Sequence, residues 1–216
     1  MNTFEESTLA LSPLHSLLAL KRVEEVKQIL EMRPDLIHTH NSNGKSLFSI
    51  NIKRDWLYDL DFDSSSLPDD VLFTALKDSR FKDFQRLFVK GANLKFVNEN
   101  EKTVLHIAAS IEDVETFSFI RDNFAVFEFI VNEVDSEGNT CLHYAVQNEK
   151  AALHMSTDKN EKDTFISFLV KKVADIHHRN IYGQSPLNLA RNISARDQLV
   201  NLIENYMSSG RMKSNK

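Results

Sequence analysis

Apolar side chains in this chain recur three and four positions apart, the spacing that places them on one face of an α-helix. Polar and charged residues fill the positions between them. The pattern predicts a series of short amphipathic helices whose phenylalanines pack between neighbouring units, with Phe127 and Phe129, on an irregular connection, as the expected exceptions. The clearest segments are Val23, Val26, Ile29 and Leu30, then Phe81, Phe84 and Phe88, then Phe117 and Ile120, then Phe124 and Phe127, and finally Phe165, Phe168 and Leu169.

A four-residue motif precedes several of these segments and repeats along the chain. Its copies are Ser-Pro-Leu-His at residues 12–15, Thr-Val-Leu-His at 103–106, Thr-Cys-Leu-His at 140–143 and Ser-Pro-Leu-Asn at 185–188. An alanine stands two residues after the copies that end at residues 106, 143 and 188. Fifteen positions after the motif leucine, an apolar residue recurs as Ile29, Ile120 and Leu202. Motif and helix therefore form one repeating unit.

Two further places extend or interrupt the repeat. Leu72, Phe73 and Ala75 form a weaker copy, because Leu87 follows Leu72 by 15 positions. Another unit begins at residues 44–48, but the stretch from Trp56 to Pro68 lacks the expected second helix. After Leu142 the matching apolar residue is Leu169 instead of Thr157, so this unit is predicted to carry an insertion of 12 residues around Lys150 to Asp163.

This unit resembles the ankyrin repeat, which has a period of about 33 residues and a Thr-Pro-Leu-His-x-Ala signature. The resemblance covers roughly Leu9 to Tyr206. It implies an all-α fold, an ankyrin-repeat solenoid of five or six helix-turn-helix repeats with short hairpin-like turns. Residues 1–207 are expected to form the repeat domain, with an irregular second repeat near 44–68 and the insertion near 150–163. Residues 208–216, basic and serine-containing, are expected to be a disordered tail.

The motif residues suit the starts of helices. A threonine or serine hydroxyl can accept from the unpaired backbone N–H groups there, and proline costs nothing in the first turn. The motif leucines are expected to point into the stack, and the resemblance implies a structural hydrogen-bonding role for His106 and His143 near the turns. Glycine tolerates positive φ, and the residues at 44, 91, 138 and 183 are expected to form turns.

Composition narrows the possible functions. The 216 residues carry 26 basic and 31 acidic side chains, a formal net charge of -5, which argues against a nucleic-acid binder. No apolar run reaches the roughly 18 residues of a membrane span, and the N-terminal segment does not resemble a secretory signal. The single cysteine, Cys141, fits neither an internal disulfide nor a zinc site. A cytoplasmic protein that is monomeric by itself is therefore expected. If the chain is an effector, it would be translocated into a host cell.

The sequence gives little indication of a catalytic or metal-binding site. Cys141 with His143 or His106 could form a nucleophile pair, but Cys141 occupies the motif's proline position and both histidines occupy its histidine position, so no catalytic residue is assigned. His177 and His178, with His154, could bind a metal, yet adjacent histidines rarely face one centre. Residues 43–46 end like a phosphate-binding loop but lack its first glycine and preceding strand. No metal or cofactor is expected.

The expected function is binding to another protein. In the ankyrin family, the variable positions on the concave face lie in the turn before the capping threonine and at the end of the first helix. Tyr182 is the strongest single candidate, because tyrosine and arginine are favoured interface anchors. Carried over by alignment, the contact positions are Val97, Glu99, Asn100, Lys102, Ile111, Ser136, Glu137, Asn139, Gln147, Asn148, Arg179, Ile181, Tyr182, Gln184 and Asn192.

Three alternatives stay open at this point. The chain could be an inhibitor or regulatory subunit of an enzyme. It could be a host-directed effector, because its Asn-, Lys- and Phe-rich, Gly-poor style with degenerate repeats resembles ankyrin proteins of intracellular microbes. It could also be an enzyme that uses the irregular stretch from Trp56 to Pro68 as a lid, which the motif positions of Cys141 and His143 disfavour.

Overall fold

A computed structural model describes residues 13–42, 46–47, 67–111, 113–148, 165–172, 174–190, 201 and 205. The chain divides into two compact units, Met1–Asn93 and Leu94–Lys216. The described residues form helices and turns and contain no strand, apart from an isolated antiparallel bridge between His40 and Ser46. The all-α prediction is therefore confirmed.

The described part of the first unit contains two helix pairs. Helix α1 packs against α2, and α3 packs against α4. In α2 the predicted apolar face is present, because Val26 and Leu30 are buried. The elements are α1 (Pro13–Ala19), α2 (Val23–Met32), a 3-10 helix (Pro34–His38), α3 (Val71–Lys77) and α4 (Phe81–Val89).

The second unit repeats this arrangement and contains the turns discussed below. Its helices are α5 (Val104–Ser110), α6 (Val114–Asp122), α7 (Phe124–Phe127), α8 (Cys141–Gln147), α9 (Phe165–Lys171) and α10 (Pro186–Ala190), with a 3-10 helix (Glu128–Ile130) after α7. Helix α8 packs against α5, α9 and α10. The motif residues Leu105 and Leu142 are fully buried, as are Ala145 and Ala190, so neighbouring first helices approach closely.

Phenylalanines fill the space between the second helices. The ring of Phe117 on α6 lies 5.2 Å from that of Phe165 and 5.9 Å from that of Phe168, both edge-on. The ring of Phe124 lies 5.1 Å from Phe168. Edge-to-face contacts at these separations stabilise a core beyond simple burial. The prediction that phenylalanines join one repeat to the next is confirmed for these rings.

Two expectations about the core were wrong. Phe127 was expected outside the core, but it is fully buried, because the short helix α7 places it on the same face as buried Phe124. Phe129, the other expected exception, is 52% exposed. Leu187 was expected to point into the stack, but it is only half-buried. Among the described helices, α8 packs against α5, α9 and α10, whereas α10 packs mainly against α8, so Leu187 is less enclosed than Leu142.

Several predictions fall largely or wholly outside the described residues. They are the helix-opening Ser12, the irregular repeat near 44–68, the insertion near 150–163, Leu202 and the basic tail at 208–216. Leu169, where the second helix was expected to resume after the insertion, lies in α9 and is fully buried.

Candidate functional site

Three turns of the same geometry precede α5, α8 and α10. The first turn is Asn98–Lys102, the second is Asp135–Asn139, and the third is Asn180–Gln184. In each, the N–H of the first residue donates to the carbonyl of the fifth, at 3.2, 3.0 and 3.0 Å. The side-chain oxygen of the first residue accepts from two backbone N–H groups of its own turn, at 2.8 to 3.1 Å. Asparagine and aspartate suit this position because their side-chain oxygens can accept from the backbone two residues further on.

The fourth residue of each turn has positive φ. It is Glu101 in the first turn (φ 58°), Gly138 in the second (φ 74°) and Gly183 in the third (φ 72°). This confirms that Gly138 and Gly183 form turns. Glu101 adopts the same conformation with a side chain, which costs free energy that glycine avoids.

Neighbouring turns are joined by backbone hydrogen bonds. The N–H of Ser136 donates to the carbonyl of Asn100 at 2.9 Å, and the N–H of Ile181 donates to the carbonyl of Glu137 at 2.9 Å. Each bond joins the second residue of one turn to the third residue of the turn before it. The three turns are thereby held side by side as a ladder.

His106 joins its own helix to the following turn. The backbone N–H of Thr103 donates to His106 Nδ1 at 3.0 Å, and the Thr103 hydroxyl lies 2.8 Å from the same atom. Because donors face Nδ1, the ring proton lies on Nε2, which donates to the carbonyl of Asn139 at 2.9 Å. His143 repeats this arrangement, with Thr140 at Nδ1 and the carbonyl of Gln184 at 3.0 Å from Nε2. The predicted structural role of the two histidines agrees with this geometry.

Burial lowers the pKa of both histidines below the ordinary value. For His106 the hydrogen bond to Asn139 partly opposes this effect, and for His143 the bond to Gln184 does so. Burial disfavours the charged imidazolium, and each neutral ring already uses both nitrogens. Neither histidine therefore has a nitrogen available to deprotonate Cys141. That thiol is itself buried and donates to the carbonyl of Val131 at 3.3 Å, and burial raises its pKa to about 12.

A polar cluster supports the second turn from beneath. The Tyr144 hydroxyl donates to Asp135 Oδ2 at 2.6 Å, and the Lys102 ammonium lies 4.6 Å from the centre of the Tyr144 ring. Burial alone would raise the pKa of Asp135, but hydrogen bonds from Tyr144 and the backbone of Asn139 and Glu137 outweigh it, so the net pKa is lowered. Burial and the neighbouring carboxylate raise the pKa of Tyr144. The cluster fixes the turn around an ionised carboxylate.

The structure brings most of the predicted contact residues together on these turns and on the ends of α5 and α8. Lys102, Ile111 and Asn148 are half-buried, and the Asn148 amide donates to the carbonyl of Ser110 at 3.1 Å. Asn192 lies outside the described residues. The exposed members are Val97, Glu99, Asn100, Ser136, Glu137, Gln147, Arg179, Ile181, Tyr182 and Gln184.

Asn139 needs a correction, because it is only 5% exposed. Its Oδ1 accepts from Asn180 Nδ2 at 2.9 Å, and its Nδ2 donates to Glu137 Oε2 at 3.2 Å. A side chain enclosed in this way positions the turns and does not offer a contact surface. Asn139 and Gln184 both end a turn and precede the residue that opens the next helix, so the alignment treated them as equivalent, although Gln184 is exposed.

Sequence reasoning missed Val134, Tyr144 and Asp135. Val134, which is 37% exposed, precedes the second turn as Val97 precedes the first. Alignment of the turns on Asn98 and Asn180 would have identified Asp135 as their equivalent. Tyr144 gave no such signal, because its role depends on the hydrogen bond to Asp135.

His177 and His178 lie in the turn that follows α9. Their backbone N–H groups donate to Asp175 Oδ1 at 2.8 and 3.1 Å. Within the described part of the chain, no group of three or more histidine, cysteine, aspartate or glutamate side chains is arranged to hold a metal ion. In the same part, no helix is long and apolar enough to cross a membrane.

Comparisons with known proteins agree with the fold. Residues 72–152 match the family model for ankyrin repeats in three copies, a range that runs from α3 to α8. The chain is similar to one in the solved complex of a predatory endopeptidase from Bdellovibrio bacteriovorus with an immunity protein. The identity is 18%, the match covers 89% of this chain and 96% of that one, and the TM-score is 0.58. No curated protein matches the chain. The chain therefore carries ankyrin repeats, and residues 72–152 are the part that belongs to this family.

Proposed function

We propose that this chain is a protein-binding module whose contact surface consists of the three turns and the C-terminal ends of α5 and α8. The observation that carries the proposal is at the third turn, where Ile181 is 67% exposed and Tyr182 is 64% exposed. Tyrosine is favoured as an anchor at protein interfaces, and the exposed isoleucine beside it enlarges the apolar surface that a partner can cover. Both side chains lie on an ordered turn that keeps them exposed, which favours a role in binding.

The turn backbone is fixed before any partner binds. The N–H groups of Ile181, Tyr182 and Gly183 donate to Glu137, to the Asn180 side chain and to the Asn180 carbonyl, at 2.9, 3.1 and 2.9 Å. Binding therefore orders little more than the two side chains. Preorganisation of this kind raises affinity because less conformational entropy is lost on association.

Charged and polar side chains surround the apolar pair. Glu99 and Glu137 are exposed on the first and second turns, and Arg179 precedes the third, where its guanidinium donates to the carbonyl of Gly183 at 2.9 Å. An apolar centre with a polar rim is the usual composition of a protein interface. The mixed signs of charge favour a protein partner over a nucleic acid.

The test compares two exposed aromatic residues. The intact chain, Tyr182→Ala and Phe129→Ala are immobilised at equal density, and the proteins that each captures from lysate are measured by quantitative mass spectrometry. Tyr182→Ala should reduce capture about thirtyfold, the loss that corresponds to about 2 kcal/mol. Phe129 is also an exposed aromatic residue but lies outside the turns, so Phe129→Ala should capture the same proteins as the intact chain. Normal capture by Tyr182→Ala together with loss in Phe129→Ala would contradict the proposal.

A second candidate is that the bound protein is an enzyme that the chain inhibits. It is supported by the solved structure of similar fold, which is a complex between an endopeptidase and an immunity protein. Capture from bacterial and from eukaryotic lysate, followed by assay of peptidase activity with and without the chain, tests it. Inhibition that is lost in Tyr182→Ala supports this candidate. A eukaryotic partner would instead favour a host-directed role.

A further inference from the structure

Exposed apolar side chains extend along the three turns and the residue that precedes each of them. We call this surface, residues 97–102, 134–139 and 179–184, the turn face. Val97, before the first turn, and Val134, before the second, are exposed at equivalent positions of two joined turns. Ile181 and Tyr182 are exposed on the third turn. A partner therefore finds apolar side chains to cover at each of the three turns.

The exposed carboxylates of the turn face lack a counter-ion. Glu99 and Glu101 are exposed on the first turn, and within the described residues neither side chain forms an ion pair or a hydrogen bond. Glu137 is exposed on the second turn, where its Oε2 accepts from the uncharged Asn139 amide at 3.2 Å. The remaining carboxylate, Asp135, is buried and accepts from Tyr144. Three exposed negative charges are thus not neutralised by the described part of the chain.

The two cations of the turn face are held against their own structure. The Lys102 side chain is half-buried, and its ammonium lies 4.6 Å from the centre of the Tyr144 ring. The Arg179 guanidinium donates to the carbonyl of Gly183, in its own turn, at 2.9 Å. The charge that the turn face presents to a partner is therefore mainly negative on the first and second turns.

A partner that covers the third turn must also cover its neighbour. The carbonyl of Glu137 accepts from the N–H of Ile181 at 2.9 Å, so the second and third turns are in direct contact. A stable interface buries about 800 Å² on each partner, whereas one aromatic side chain such as Tyr182 contributes about 150 to 250 Å². Covering a carboxylate without a charged or hydrogen-bonding group opposite it costs free energy. The partner must therefore bring such groups to Glu137.

We propose that the turn face binds a protein that presents lysine and arginine side chains beside an apolar patch. The basic side chains meet Glu99, Glu101 and Glu137, and the apolar patch covers Ile181 and Tyr182. Because the carboxylates lie on the first two turns and the apolar pair on the third, the partner can bind in one orientation along the face. The inference rests on the proposed function and specifies the chemistry of the partner.

The same face of a second copy does not supply these basic groups. It presents the same exposed carboxylates, and like charges placed opposite each other cost free energy. The chain as a whole has a formal net charge of -5, which opposes the association of two copies. A contact with a basic part of another copy is kept as an outcome of the test.

The probe is a phage-displayed library of random dodecapeptides, which is selected on the immobilised full chain and sequenced before and after selection. We expect lysine and arginine to be enriched at least about threefold, next to apolar residues. A selected peptide is then synthesised, and its Kd is measured by fluorescence anisotropy. Between about 50 mM and about 500 mM sodium chloride this Kd should rise at least about tenfold, because salt screens contacts between exposed charges.

Matched charge variants make the test specific. The double variant Glu99→Lys, Glu137→Lys should raise the Kd of the selected peptide at least about tenfold. The double variant Glu24→Lys, Glu31→Lys changes the net charge equally at exposed positions of α2 and should bind like the parent chain. The double variant Glu99→Gln, Glu137→Gln keeps an acceptor for the Asn139 amide and should have an intermediate effect at an unchanged melting temperature.

Several outcomes would overturn the inference. They are the failure to select any peptide, selected peptides that are not enriched in basic residues, and a Kd that the changes at Glu99 and Glu137 leave unaltered. An equal loss of affinity in the variant with changes at Glu24 and Glu31 would also overturn it, because the effect would then follow net charge and not the turn face.

Sedimentation of the free chain over a range of concentrations, at low and high salt, addresses the second copy. Self-association that Glu99→Lys, Glu137→Lys abolishes would assign the turn face to a basic part of another copy and overturn the inference. The proposed function has its own readout. If the selected peptides are not basic but Tyr182→Ala still loses captured protein, the inference fails and the proposed function stands.

Discussion

Gly138 lies directly against the backbone of Asn180, since a Cβ at this glycine would come within 3.2 Å of Asn180 Cα and 3.3 Å of Ile181 N. Gly183 has nearly the same φ but open space around it. Alanine at either position must adopt the left-handed conformation, which costs about 1 to 2 kcal/mol. At Gly138 the added methyl group also overpacks the contact with Asn180, which costs about 1 to 3 kcal/mol more. Urea unfolding should therefore show a clearly larger loss for Gly138→Ala. Equal losses would mean that the contact between the second and third turns is not tight.

At Glu101 the reverse change, from a residue with a side chain to glycine, can be tested. It holds φ 58° at the position that glycine occupies in the other two turns. Glu101→Gly relieves a backbone cost of about 1 to 2 kcal/mol and loses about 0.5 to 1 kcal/mol through the greater freedom of the unfolded chain. We expect a net gain of roughly 0.5 to 1 kcal/mol in the free energy of unfolding. Lys21→Gly and Ser79→Gly, at positive φ in the other unit, extend the test, and a loss of stability in Glu101→Gly would contradict it.

The repeated parts of the fold could be predicted from the sequence because they follow local rules. A threonine that opens a helix and a histidine three residues later identify α5 and α8, and the role expected for His106 agrees with its hydrogen bonds to Thr103 and Asn139. Positive φ at Gly138 and Gly183 follows from the freedom of glycine. Each of these features depends on neighbours close in the chain or on the regular repeat.

The remaining features depend on contacts between distant segments. Asn139 is buried because Asn180, 41 residues away, donates to it. Phe127 is in the core because a short helix turns it inward, and Tyr144 acquires its role from Asp135. A residue type and its position in a motif do not determine such partners. The sequence therefore predicted which turns carry exposed residues, but not which individual side chains on them are exposed.

Leu142 and Leu187 occupy the same motif position with different burial. Leu142 is fully buried between neighbouring helices, whereas Leu187 is half-buried. Leu142→Ala should lower the free energy of unfolding by about 2 to 5 kcal/mol, because it removes buried surface and leaves a cavity. Leu187→Ala should have a clearly smaller effect, since its site is partly open to solvent. Urea denaturation of both variants measures the difference, and an equal loss would place Leu187 in a closed core.

His106 and His143 should make the fold sensitive to mild acid. Burial lowers the pKa of both imidazoles in the folded chain, whereas the unfolded chain has the ordinary value of about 6.5. Between the two pKa values the unfolded chain binds more protons, so stability falls as pH decreases. The contribution is complete above about pH 6.5 and is lost progressively below it. Asp135, whose pKa is also lowered, adds a separate loss only below about pH 4.

Protonation acts directly on the hydrogen bonds between turns and helices. A proton on Nδ1 of His106 would face the N–H of Thr103, which now donates to that atom at 3.0 Å. Asparagine can replace the histidine without titrating, as Asn188 does beside Ser185. Urea unfolding at pH 7.5 and 5.5 should show a marked loss for the parent chain and a smaller one for the double variant His106→Asn, His143→Asn. The variant His177→Asn, at an exposed histidine, should keep the loss of the parent chain. If the double variant loses as much stability as the parent chain, the acid sensitivity arises elsewhere.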